Sequence, residues 1–185
     1  MAKARQAWRQ RSLAAVPLAG PGRGSPQSSS SATSRRQPRV DHEGLEQKVL
    51  IRWLFAEQQR GTEVGQAYAH TYHVPNGGQR NKKTAADLKQ QGVKAGVSDL
   101  VVKVARGGWH GLYLEFKATP PHHAATAVSQ REWLALAEEE GYCAVLARGL
   151  EEAKEVLREY MSWPATEILG DRQAMENGTE WRKAK

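Results

Sequence analysis

The sequence predicts an α/β domain in which a mixed central sheet is flanked by helices, in the order α-β-α-β-β-α-β-α. Three observations lead there. Segments with helical apolar spacing alternate with short β-branched and aromatic runs. Two of those runs, 99–104 and 112–118, are joined by the glycine-rich "ARGGWHG", a hairpin signature. The other strand candidates are separated by helices, and a hairpin combined with helix-separated strands makes a mixed sheet.

Each element has its own justification. The first helix is expected from about Glu43 to Gln59, started by Asp41 or His42, with Leu45, Val49, Ile51, Trp53, Leu54 and Phe55 as a broad apolar face. "AYAHTYHV" at 67–74 reads as a strand, and "PNGG" at 75–78 as a turn. A polar helix is expected over Lys83 to Gln91, ending at Gly92. The hairpin strands follow. A third helix runs from about Val128 to Glu140 and stops at Gly141, then "YCAVLA" at 142–147 forms a strand. The last helix, "LEEAKEVLREYM", places Leu150, Ala153, Val156, Leu157 and Tyr160 on one face.

Around this domain, predicted over 41–163, lie two extensions. Residues 1–40 are rich in Gly, Pro, Ser and Arg, have little to bury, and read as a disordered tail. Residues 164–185 form a polar C-terminal extension. The net charge of +7 is misleading as a whole-chain number. Lys3, Arg5, Arg9, Arg11, Arg23, Arg35, Arg36 and Arg39 lie in the tail, which has no Asp or Glu, so the rest of the chain is nearly neutral. The tail reads either as a basic arm for phosphates, as a transit peptide, or as a plain solvated extension. Cys143 is the single cysteine, which excludes an internal disulfide and a cysteine zinc cluster and fits a reducing compartment. No apolar run approaches the length of a membrane span, and no apolar stretch of secretory type is present.

The chemistry is concentrated in the hairpin. Side chains two apart on a strand share a face, so Glu115 and Lys117 lie together, opposite Leu114, Phe116 and Ala118. Asp99 begins the neighbouring strand, within reach of the same face. Two close carboxylates repel unless one is protonated or a cation lies between them. A hard divalent ion with oxygen ligands, Mg²⁺ or Mn²⁺, suits them, and such an ion polarises phosphoryl oxygens and acidifies bound water. The plain alternative is a Glu–Lys ion pair on an outer face. Against it, "DLVV" runs apolar directly after Asp99, as in a strand covered on both sides.

Asp99, fifteen intervening residues and then Glu115-Phe116-Lys117 resemble the motif of the PD-(D/E)xK nuclease superfamily. The ordered blocks "HVPNGGQRN", "LKQQGVKAGVSDLVV", "HGLYLEFKA" and "QREWLALAEEEGY" are similar to the VRR-NUC family of virus-type replication-repair nucleases, over roughly Glu43 to Met161. The resemblance implies a restriction-endonuclease-like core and a metal-dependent endonuclease that hydrolyses phosphodiester bonds, often in branched or four-way-junction DNA, in replication, recombination or repair. It implies Asp99 and Glu115 as metal acids, Lys117 as catalytic lysine, Gln130 as a glutamine beside the site, and the Phe116 main-chain carbonyl as a further ligand. An acid on the first helix completes the metal set. Glu43 and Glu46 both qualify, with Glu43 preferred because it shares a helix face with Gln47. Two departures stand out: Ser98 occupies the place of a proline, and Ala127 that of a serine. The acids and the lysine are intact, against the alternative of a non-catalytic DNA-binding or assembly subunit that retains the fold.

The remaining expectations concern partners. Asn76, Gly77, Gly78, Arg80, Lys82 and Lys83 surround a turn and offer donors to a DNA backbone. A symmetric homodimer would supply two active sites for two strands. The expected setting is the cytoplasm of a bacterial or phage-infected cell, ahead of organellar import. His70 and His73 face opposite sides of their strand and read as cross-strand packing. The adjacent His122 and His123 point apart and lack the spacing of a zinc site.

Overall fold

The computed structural model describes residues 40–75, 82–167, 169, 170, 173, 175 and 177–179, with the backbone alone at Lys82 and Lys83. The predicted tail therefore falls outside the described residues except at Val40, as do Asn76, Gly77, Gly78 and Arg80.

The chain forms α1 (His42–Gln59), a 3-10 helix (Val64–His70), β1 (Thr71–His73), α2 (Lys82–Gln90), β2 (Leu100–Val102), β3 (Leu112–Lys117), α3 (Val128–Glu139), β4 (Cys143–Arg148) and α4 (Leu150–Ser162). Among the described residues, four strands lie in one sheet in the order β1-β2-β3-β4. β1–β2 and β2–β3 are antiparallel, whereas β3–β4 is parallel. The mixed sheet follows from the connections: Gly107 and Gly108 supply the positive φ values of a tight turn between β2 and β3, and α3 provides the crossover that a parallel β3–β4 pair needs. No helix is long and apolar enough to cross a membrane among the described residues.

β3 is covered on both sides. Leu112, Leu114 and Phe116, all unexposed, join Leu50 and Leu54 of α1 and Leu157, Tyr160 and Met161 of α4 in the main core. On the opposite face Tyr113 meets the Trp133 ring of α3 edge to face. At about 25 cal/mol per Å² of apolar surface removed from water, each such core side chain contributes roughly 1.5–3 kcal/mol.

Two local expectations are corrected. Residues 64–70 form a 3-10 helix, so only Thr71–His73 remain as strand. Gly65 passes so near the end of α1 that a Cβ there would lie 2.4 Å from the Glu57 carbonyl oxygen, and Thr71 Oγ1 donates to the Ala67 oxygen at 2.8 Å. That close approach coils a segment whose composition suits a strand. The buried stripe of α1 is Leu50 and Leu54, while Leu45, Val49 and Phe55 are exposed. Neighbours on more than one side choose the buried positions, and periodicity alone does not reveal where they stand.

The end of α4 and the segment after it close over the hairpin. Gly107 N donates to the Pro164 oxygen at 2.8 Å, Thr166 N to the Ala105 oxygen at 3.2 Å, and Tyr160 Oη to the Val104 oxygen at 2.6 Å.

Candidate active site

The candidate residues meet where β3 ends. The β2–β3 register pairs Leu100 with Leu114, so Asp99, one step earlier, stands opposite Glu115. Directly opposed residues of an antiparallel pair share a face. Asp99 Oδ2 accepts the Phe116 amide at 3.0 Å, which fixes the aspartate against the strand that carries the other two groups. The Phe116 expectation concerned its carbonyl as a ligand; the contact found is through its N–H.

Glu115 is fully buried and Lys117 is 4 % exposed. Lys117 Nζ donates to Glu115 Oε1 at 2.6 Å and stands 3.9 Å from Glu43 Oε2. The Gln130 amide also donates to Glu115 Oε1. Gln130 is held at both ends, because its carbonyl oxygen accepts the Ala127 amide at 2.8 Å at the start of α3. This is the reciprocal half of a capping box, and it aims the amide nitrogen at Glu115. The departure at Ala127 thus removes a side-chain cap but leaves the glutamine oriented. The other carboxylate oxygen, Glu115 Oε2, is buried and has no hydrogen-bond partner.

The electrostatics follow from this crowding. Burial pushes the Glu115 carboxyl up to about 7; the Lys117 hydrogen bond opposes that rise, and the charges of Asp99 and Glu43 reinforce it. Glu43 is also raised, first by burial and then by Asp99 and Asp41, with Lys117 and the Ala118 amide pulling the other way. Three mutually repelling carboxylates therefore gather here, and one ammonium pairs with two of them, Glu115 and Glu43.

The two candidate acids of α1 are separated by their partners. Glu43 faces Lys117. Glu46 instead accepts the Thr119 amide at 3.0 Å, the Thr119 hydroxyl at 2.7 Å and the Leu150 amide at 3.2 Å, tying the exit of β3 to the first turn of α4. Among the described residues, no three His, Cys, Asp or Glu side chains are grouped so as to hold an ion. The acid oxygens are engaged instead by donors of the chain: Lys117 and Gln130 on Glu115, Phe116 N on Asp99 and Ala118 N on Glu43.

Of the DNA-contact candidates, Lys82 and Lys83 open α2, and Asn76, Gly77, Gly78 and Arg80 lie outside the described residues. His73 makes a polar contact across the strands and a second one to α1: its Nδ1 lies 2.9 Å from the Asp99 main-chain oxygen and 2.8 Å from the Gln47 amide nitrogen. No sequence signal joins residues 26 positions apart in this way. His122 stacks on His42, with ring centroids 4.0 Å apart.

No protein-family model and no curated protein matches the chain. Among solved structures it is similar to one described as a "VRR_NUC domain protein", at 27% identity and a TM-score of 0.57, over 71% of this chain and 100% of that one. The mixed sheet with flanking helices is consistent with a restriction-endonuclease-like core. Sheet order, the acids at the end of β3 and this likeness agree: the chain is a nuclease-fold protein with a VRR-NUC-like fold.

Proposed function

We propose that the chain is a Mg²⁺- or Mn²⁺-dependent endonuclease that hydrolyses phosphodiester bonds in branched or structured DNA. The observation that carries this reading is the buried, unpartnered Oε2 of Glu115 beside two further carboxylates. An orphaned carboxylate oxygen in a crowd of like charge is costly unless a proton or a cation joins it, and a cation serves all three acids at once. The donor set is all oxygen, which fits a hard divalent ion. Asp99 and Glu115 would hold it, with Glu43 as the acid from α1. Glu46 is already committed to Thr119 and Leu150.

When bound, the ion supplies Lewis acidity and a water of lowered pKa. The chain's own groups supply the rest. Lys117 presents an ammonium beside the acids, where it orients a water and offsets charge on the phosphate oxygens during in-line attack. Gln130 fixes the rotamer of Glu115. Asp99 is fixed by the Phe116 amide. Water adds to phosphorus while the bond to the 3′ oxygen breaks, leaving a 5′ phosphate and a 3′ hydroxyl. Without a cation the acids repel phosphate, so substrate is held productively only once the local sign is reversed.

The test is incubation of the purified protein with supercoiled plasmid and with a four-way junction, in Mg²⁺, Mn²⁺ or EDTA. Metal-dependent cutting is expected, with none in EDTA. Lys117→Ala should abolish cleavage while DNA binding persists. Intact DNA under every metal condition, or a Lys117→Ala protein cutting at the normal rate, overturns the assignment.

A further inference from the structure

We propose that His73 is a positioning residue for Asp99, clamping the main chain of that acid and linking it through Gln47 to the helix that carries Glu43. This inference rests on the reading of Asp99 as a metal acid.

The argument begins with the proton. His73 Nδ1 lies 2.9 Å from the Asp99 carbonyl oxygen and 2.8 Å from the Gln47 amide nitrogen. A single ring nitrogen cannot accept from one and donate to the other at once. A carbonyl oxygen has no proton to offer, so two lone pairs would face each other at 2.9 Å unless Nδ1 is protonated. Nδ1–H therefore donates to Asp99. The Gln47 amide has nearly isosteric ends, and with its oxygen turned towards the same N–H it accepts the second half of a shared hydrogen bond.

The second step is placement. β1 is an edge strand only three residues long, and its last residue, His73, pairs with Leu100, next to Asp99. The Asp99 oxygen also accepts the Val74 amide at 2.9 Å. Asp99 is thus gripped on its main chain from β1 and on its carboxylate from β3. Gln47 stands four residues after Glu43 on α1, so the same imidazole relates the position of the helix acid to that of the strand acid. Groups that orient metal ligands without touching the metal typically cost 10–100-fold in metal affinity when removed.

Asn and Gln distinguish this role from simple packing. The Asn side-chain nitrogen falls near the place of imidazole Nδ1, whereas that of Gln lies one bond further out. The experiment is calorimetric titration of the full chain with Mn²⁺ alone, without DNA, for wild type, His73→Ala, His73→Asn and His73→Gln, alongside metal-free melting curves. The expected result is affinity about tenfold weaker for His73→Ala and His73→Gln, near-wild-type affinity for His73→Asn, and unchanged metal-free melting. If His73→Ala does not fold, the Asn and Gln variants decide. Wild type that binds Mn²⁺ no better than His73→Ala or His73→Gln overturns the clamp alone. Wild type that binds no Mn²⁺ overturns the metal-site reading and the clamp with it.

Discussion

Glu115 has two oxygens in very different circumstances. One receives Lys117 and Gln130, the other nothing. Its carboxyl is raised from an ordinary 4.5 to about 7, chiefly because burial disfavours the charge. A group raised in the folded state binds a proton there that the unfolded chain has already released. Stability of the metal-free protein should therefore fall as pH rises from about 4.5 to about 7, and level off above it. Urea denaturation across that window in EDTA should show the slope, and Glu115→Gln should flatten it. Mn²⁺ should flatten it as well, since a bound cation favours the ionised form. A slope identical in wild type and Glu115→Gln would show that burial of this carboxyl is not its source.

At the scale of elements, the N-terminal part of α1 performs two tasks with two acids three residues apart. Glu43 serves the site and Glu46 holds the exit of β3 to α4. Glu46→Ala should lower stability by about 1–3 kcal/mol, the usual loss for hydrogen bonds to a charged group, while leaving Mn²⁺ affinity intact. Glu43→Ala should do the reverse. Paired denaturation and Mn²⁺ titration would separate them, and equal losses of metal affinity would defeat the assignment. The approach of the loop before β2 to α3 is the second constraint. Gly96 has φ +83, and a Cβ there would lie 2.2 Å from the Ser129 carbonyl oxygen. Gly96→Ala should cost more than about 1 kcal/mol and displace the first turn of α3, which carries Gln130. Unfolding midpoints together with cleavage rates would register both effects. A Gly96→Ala protein with wild-type stability would mean that the loop relaxes freely.

Across the whole molecule, charge and site are separated in sequence. The eight basic residues of 1–40 account for the excess positive charge, while the site is acidic. Replacing those eight by Gln in the full chain should weaken DNA binding and reduce its salt dependence, because fewer counterions are released per complex. Cleavage at saturating DNA should be unchanged. Binding isotherms at several salt concentrations would detect the effect, and an unaltered salt slope would remove the arm from DNA recognition. The sequence by itself determined the alternation of helices and strands, the hairpin at Gly107-Gly108, and the grouping of Glu115 with Lys117, because these depend on local periodicity and on backbone preferences that each residue carries with it. It also brought Asp99 near them, since antiparallel pairing across a short turn leaves little freedom of register. Only the tertiary structure decided that Leu50 and Leu54 face the core, that 64–70 coils tightly, that Glu43 and not Glu46 faces the lysine, and that His73 grips Asp99. Those outcomes depend on which surface a neighbouring element presents, and that surface exists only after residues distant in the chain have packed together.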